Sequence, residues 1–95
     1  NQSFPDSKVF EKITVKEPWA AFRVRASITL TKAATSELNV RRIIVIDKNG
    51  YQYLDVPVSS GQTSVVTHLP LDHEVTLSAI DHLGRTVDQV TVQSP

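Results

Sequence analysis

Apolar and polar residues alternate most regularly over residues 22–31, FRVRASITLT. There Phe22, Val24, Ala26, Ile28 and Leu30 are separated by Arg23, Arg25, Ser27, Thr29 and Thr31. A spacing of two puts the apolar side chains on one side of an extended chain and the charged and hydroxyl groups on the other. A helix would scatter them around its circumference, so the pattern predicts a half-buried strand with one wet face. Similar reasoning carries along the chain. Residues 9–15 predict a first strand with Ile13 and Val15 on one face, and KEPWA then turns the chain at Pro18. Residues 40–47, VRRIIVID, are β-branched and apolar enough for a central strand, although the run does not state which parity points inward. Asn49-Gly50 accepts the positive φ values of tight turns, so residues 40–56 predict a hairpin. Pro57 has no N–H to donate, which predicts that the second arm lies at a sheet edge.

Further strands are predicted at TSVVTHL (63–69), EVTLSAI (74–80) and RTVDQVTV (85–92). In the last of these Val87, Val90 and Val92 change parity, which predicts a bulge near Asp88. TKAATSELN (31–39) is short and holds two threonines, so it reads as a loop. The expectation is an all-β chain of seven strands with turns every eight to twelve residues and no helix longer than a turn. That is the pattern of two packed antiparallel sheets. The polar opening NQSFPDS (1–7) reads as a leader or linker, with a single sandwich domain over 8–95. Val24, Ile28, Leu30, Ile44, Ile46, Val65, Leu69, Leu77 and Ala79 are the expected core.

Composition narrows the class. The chain has 95 residues, 40% of them hydrophobic, which suffices for one core. Ten Lys and Arg balance ten Asp and Glu, which argues against a nucleic-acid binder. The signs are unevenly distributed: residues 1–50 hold nine basic and five acidic side chains, residues 51–95 one and five. In a sheet protein early and late strands become neighbours, so mixing over the surface is expected. With no cysteine there is no disulfide and no thiolate ligand for zinc. The longest uninterrupted apolar runs, WAAF and IIVI, are four residues each, far too short to insert in a membrane.

One passage carries a family resemblance. In LPLDHEVTLSAIDHLG (69–84) a leucine ends one strand, a proline begins the turn, and six residues after Leu69 the alternation Val75, Leu77, Ala79 begins. This resembles the passage between two late core strands of fibronectin type III domains. Val75 stands where that family carries an aromatic residue, and Trp19 precedes the second strand rather than lying on it. The resemblance implies a seven-stranded Greek-key sandwich of fibronectin type III-like kind, with an immunoglobulin-like sandwich as the alternative.

Candidate chemistry is sparse. SSG at 59–61 lacks the flanking glycines of a nucleophile elbow, so catalysis is not expected. His68, His73 and His82 with Asp72 and Asp81 are the only metal set worth weighing. His73 and the Asp81-His82 pair fall in turns at opposite ends of a strand, roughly 20 Å apart, so neither a metal nor another cofactor is expected. Trp19, Tyr51, Tyr53 and Asp55 raise a sugar-stacking site, with rings at 51 and 53 on one side of their strand and the carboxylate beside them. Against it stands Trp19 as a plug at the sandwich end and tyrosines lying against strand neighbours. Arg23, Arg25, Arg41 and Arg42 are expected to solubilise a sheet face rather than hold an anion. The resulting expectation is a non-catalytic module of a larger secreted, periplasmic or surface protein, contacting neighbouring domains or another protein. A carbohydrate-binding accessory domain of a polysaccharide-active enzyme, with polysaccharide as partner, is the alternative.

Overall fold

A computed structural model describes residues 1–16, 23–71 and 74–94. The expectations placed on Trp19, Phe22, Asp72 and His73 lie outside the described residues. The described residues form eight strands and one short helix in the order β1 (Gln2–Ser3), β2 (Phe10–Val15), β3 (Arg23–Leu30), α1 (Lys32–Ser36), β4 (Val40–Ile46), β5 (Gln52–Pro57), β6 (Ser64–Pro70), β7 (Glu74–Asp81) and β8 (Thr86–Gln93). They form two antiparallel four-stranded sheets, ordered β1-β2-β3-β6 and β5-β4-β7-β8. The fold is an all-β, two-sheet sandwich.

The expected count of seven strands is corrected to eight. The extra strand, β1, lies in the stretch read as a leader, where Gln2 and Ser3 pair with Ile13 and Lys12. A polar pair with no alternation gives no periodic signal, and only its partner strand makes it a strand.

A second correction concerns residues 31–39, where the chain forms α1 instead of a loop. Ala34 and Thr35 are buried, and the Thr35 hydroxyl accepts the Gly61 N–H at 3.1 Å. Packing thus holds a helix that propensity alone would leave open. The helix ends at Ser36 with Glu37 as its cap, and Asn39, with a φ of 54°, lies just before β4.

The two sheets face each other across aliphatic side chains. Val24, Ala26, Ile28 and Leu30 of β3, Val65 and Leu69 of β6, and Val75, Leu77 and Ala79 of β7 are all buried in one cluster, as their spacing predicts. On β4 the core-facing parity is Ile43 and Val45 rather than Ile44 and Ile46: Ile44 is buried as expected but outside the core cluster, and Ile46 is half-buried. The reason lies in the partners. Ile43 and Val45 stand opposite Ala79 and Leu77, whereas Ile44 and Ile46 stand opposite Ser78 and Thr76.

Bulges set the remaining parities. Glu11 is left without a partner between the pairs Phe10–Leu30 and Lys12–Thr29, so Phe10 and Ile13 both reach the core although three residues apart. Arg41 does the same between Val40 and Arg42, bringing Val40 inward. On β8, Val87 is the extra residue between Thr86 and Asp88, where the parity change predicts one. β5 is an edge strand and ends at Pro57, as the missing N–H requires.

Candidate functional site

Three surface regions bring polar chemistry together. The first is the β4–β5 edge. Tyr51 is 71% exposed and immediately precedes β5; Tyr53 is 37% exposed within it. Val45 pairs with Leu54 and Ile46 with Gln52, leaving Tyr53 as a bulge residue. That bulge breaks the regular alternation on which a shared side for the two rings rests. Asp55 does not stand free beside the rings: Arg42 donates to its carboxylate at 2.9 Å.

The turn leading into this edge is built on Asp47. Its carboxylate accepts the N–H groups of Asn49 and Tyr51, while its carbonyl accepts the Gly50 N–H. Only Gly50 takes a positive φ, so the expectation that Asn49 shares it is corrected. The same construction recurs at the β7–β8 turn. Asp81 accepts the N–H groups of Leu83 and Arg85 on its carboxylate and Gly84 on its carbonyl, and Gly84 has φ 82°. The Arg85 backbone N–H is the chief cause holding the Asp81 carboxyl below its ordinary pKa of 3.8. Burial works in the other direction, and the Arg85 guanidinium and Leu83 N–H add to the lowering. Asp47 and Asp81 are thus turn-forming groups, each with one carboxylate oxygen taken by two backbone N–H groups.

The second region is the seam between the N-terminal segment and β8. The Ser7 hydroxyl donates to Asp88 at 2.6 Å and the Lys8 N–H donates to the same oxygen at 3.0 Å. Ser7 Oγ in turn accepts the N–H groups of Val9 and Phe10. Further out, the Gln2 amide donates to the Thr91 carbonyl. Burial acts to raise the Asp88 pKa, but the bonds from Ser7, Lys8 and Gln89 and the charge of Lys8 outweigh it and leave the carboxyl below 3.8. A cleft of about 320 Å³ runs along this seam, bounded by Phe4, Pro5, Asp88 and Val90.

The third region is the outer face of the β1-β2-β3-β6 sheet. Lys12, Thr14 and Lys16 of and beyond β2 and Arg25, Ser27 and Thr29 of β3 line a surface groove of about 450 Å³. Lys12 stands opposite Thr29, Thr14 opposite Ser27, and the Lys16 N–H donates to the Arg25 carbonyl. Among the described residues no carboxylate lines the groove. Neither ion pair found among the described residues involves its cations. Among the described residues lining this groove, the expected mixing of charge is absent.

Of the three histidines, His68 and His82 lie among the described residues. Among the described residues no three or more of His, Cys, Asp and Glu come together in a way that could hold a metal ion. His68 lies on β6 opposite Arg25, and the His82 N–H donates to the Asn39 carbonyl in the β7–β8 turn at 3.0 Å.

Of the residues singled out for sugar stacking, Tyr51, Tyr53 and Asp55 share one edge. Sequence reasoning missed Lys12 and Lys16, although the signal was available: they alternate with Ile13 and Val15 just as Arg23 and Arg25 alternate with Val24 and Ala26. The Ser7–Asp88 contact joins positions 81 residues apart, and no local pattern announces it. No protein-family model, curated protein or solved structure matches the chain.

Proposed function

We propose that the chain is a non-catalytic module of a larger secreted, periplasmic or surface protein, of fibronectin type III-like, Greek-key kind, serving as a spacer or protein-contact domain. The strand order supports the family reading. β2, β3 and β6 lie in one sheet, β5, β4, β7 and β8 in the other, and the chain passes between sheets from β3 to β4, β5 to β6 and β6 to β7. Leu69 and Val75, at either side of the last of these passages, are both fully buried.

The observation that carries the spacer reading is the docking of the N-terminal segment. Residues 2–3 pair with β2 of one sheet, while Gln2, Ser7 and Lys8 bond to β8 of the other. A segment tied to both sheets has a fixed direction relative to the sandwich, as a spacer requires if it is to hold neighbours in a set orientation. Fusing a small reporter domain before Asn1 and measuring its rotational diffusion by NMR relaxation tests this. The reporter is expected to tumble with the sandwich, and to gain independent motion when Ser7→Ala and Asp88→Ala are combined. Independent tumbling in the unaltered fusion would overturn the spacer reading.

A second reading is favoured by the exposure of Tyr51 and Tyr53 on an edge strand: a carbohydrate-binding accessory domain of a polysaccharide-active enzyme. Retention on an insoluble neutral polysaccharide that Tyr51→Ala and Tyr53→Ala abolish, with folding intact, would replace the spacer reading with this one.

A further inference from the structure

We infer that the groove on the outer face of the β1-β2-β3-β6 sheet binds an acidic, uronate-bearing polysaccharide through Lys12, Lys16 and Arg25. This site is on the sheet opposite to the one carrying Tyr51 and Tyr53, and the inference stands independently of either reading above.

The argument begins with charge. Three cations face one groove in which, among the described residues, no carboxylate takes part, although the whole chain is neutral. A solubilising face would be served by mixed signs, which neighbouring strands could supply. Concentration of one sign on a face with low-dielectric floor raises the local concentration of an oppositely charged ligand. The cations are held at fixed spacing by the sheet. Lys12 lies on β2 and Lys16 just beyond its end, four residues apart, about 13 Å in extended chain. Arg25 sits beside Lys16 across the pair, fixed by the backbone bond between them.

What lies between the cations selects the class of ligand. Thr14, Ser27 and Thr29 supply hydroxyls that both donate and accept, and they fill the interval between charges. A linear acidic glycan presents the complementary order: carboxylates at repeating intervals, with hydroxyls between them. An acidic peptide fits less well. Peptide recognition on sheets uses a free strand edge or apolar side-chain pockets. Here β2 and β3 have their backbone groups paired within the sheet, and Val66 is the only apolar side chain among the described residues lining the groove. Single-stranded nucleic acid needs aromatic platforms for its bases, and among the described residues no aromatic side chain lines the groove.

The test measures binding of the 95-residue chain to polygalacturonate by affinity electrophoresis and calorimetry, with neutral dextran, duplex DNA and anionic phospholipid vesicles as comparison arms. Retention by polygalacturonate and none by dextran is expected. With three cations engaged, affinity should fall by roughly an order of magnitude between about 50 and about 200 mM salt. Lys12→Gln with Lys16→Gln should weaken binding about tenfold, and adding Arg25→Gln should abolish it. Lys32→Gln with Lys48→Gln, which removes equal charge elsewhere, should leave it within about twofold. Because all the substituted side chains are exposed, unchanged thermal unfolding is expected and is checked on each variant. No binding to polygalacturonate at low salt would overturn the inference. So would equal loss in the Lys32 and Lys48 control, or tighter binding to DNA or vesicles than to polygalacturonate.

Discussion

At the scale of single residues, this fold depends on aspartates that are used structurally. Asp47 and Asp81 begin turns of the same construction, D-K-N-G and D-H-L-G, each closed by a glycine of positive φ. The sequence makes the first look like a two-residue Asn-Gly turn, because Asn-Gly is the stronger local pattern. In fact the aspartate carboxylate collects two backbone N–H groups, so four residues are needed and only the last needs left-handed backbone. Nothing lies within contact distance of a side chain added at Gly50 or Gly84, so a methyl group would cost only backbone strain. Gly84→Ala and Gly50→Ala are therefore each expected to lower unfolding free energy by about 1–2 kcal/mol, measured by urea denaturation. A neutral result at either position would show that the turn relaxes to another geometry.

At the scale of strands, alternation identified β3 and β6 directly because each has one wetter and one dry face. β7 alternates in sequence as well, although Ser78 and Ile80 on its other face are also buried. β4 was legible as a strand but not in parity. Five apolar residues in VRRIIVI satisfy either face, and only its neighbours decide, offering Ala79 and Leu77 to Ile43 and Val45. Bulges at Glu11 and Arg41 were equally hidden, since an extra residue in one strand is defined by the strand beside it. The candidate sites follow the same division. Tyr51, Tyr53 and Asp55 are close in sequence and were visible, whereas the groove needed β2 and β3 placed side by side. The parity of β4 has an energetic consequence. Ile43 is fully buried between the sheets, while Ile44 retains 9% exposure on the outer face beside Ser78. Ile43→Ala should cost about 2–5 kcal/mol and Ile44→Ala clearly less, by chemical denaturation. Equal costs would mean that the outer face is packed as tightly as the core.

At the scale of the whole molecule, one carboxylate joins the N-terminal segment to the far sheet. Asp88 accepts from the Ser7 hydroxyl and the Lys8 N–H, and Asp81 holds the β7–β8 turn on the same hairpin. Both carboxyls lie below the ordinary value of 3.8 in the folded chain. In the unfolded chain they regain that value, so on acidification the unfolded state takes up protons first. Their contribution is therefore complete above 3.8 and is lost as pH falls through the lower, folded values. Thermal stability should stay nearly level from about pH 7 to about pH 5 and fall steeply below about pH 4. Asp88→Asn keeps the shape but removes the ionised acceptor. At neutral pH it should cost about 1–3 kcal/mol and speed amide exchange at Lys8, because a charge-assisted pair is replaced by a neutral one. In acid the cost should shrink, because the native carboxylate is then itself being protonated. Calorimetric unfolding of both proteins across this range checks the sign. If the difference between them stayed constant down to the lowest pH, the Asp88 charge would not be what ties the N-terminal segment to β8.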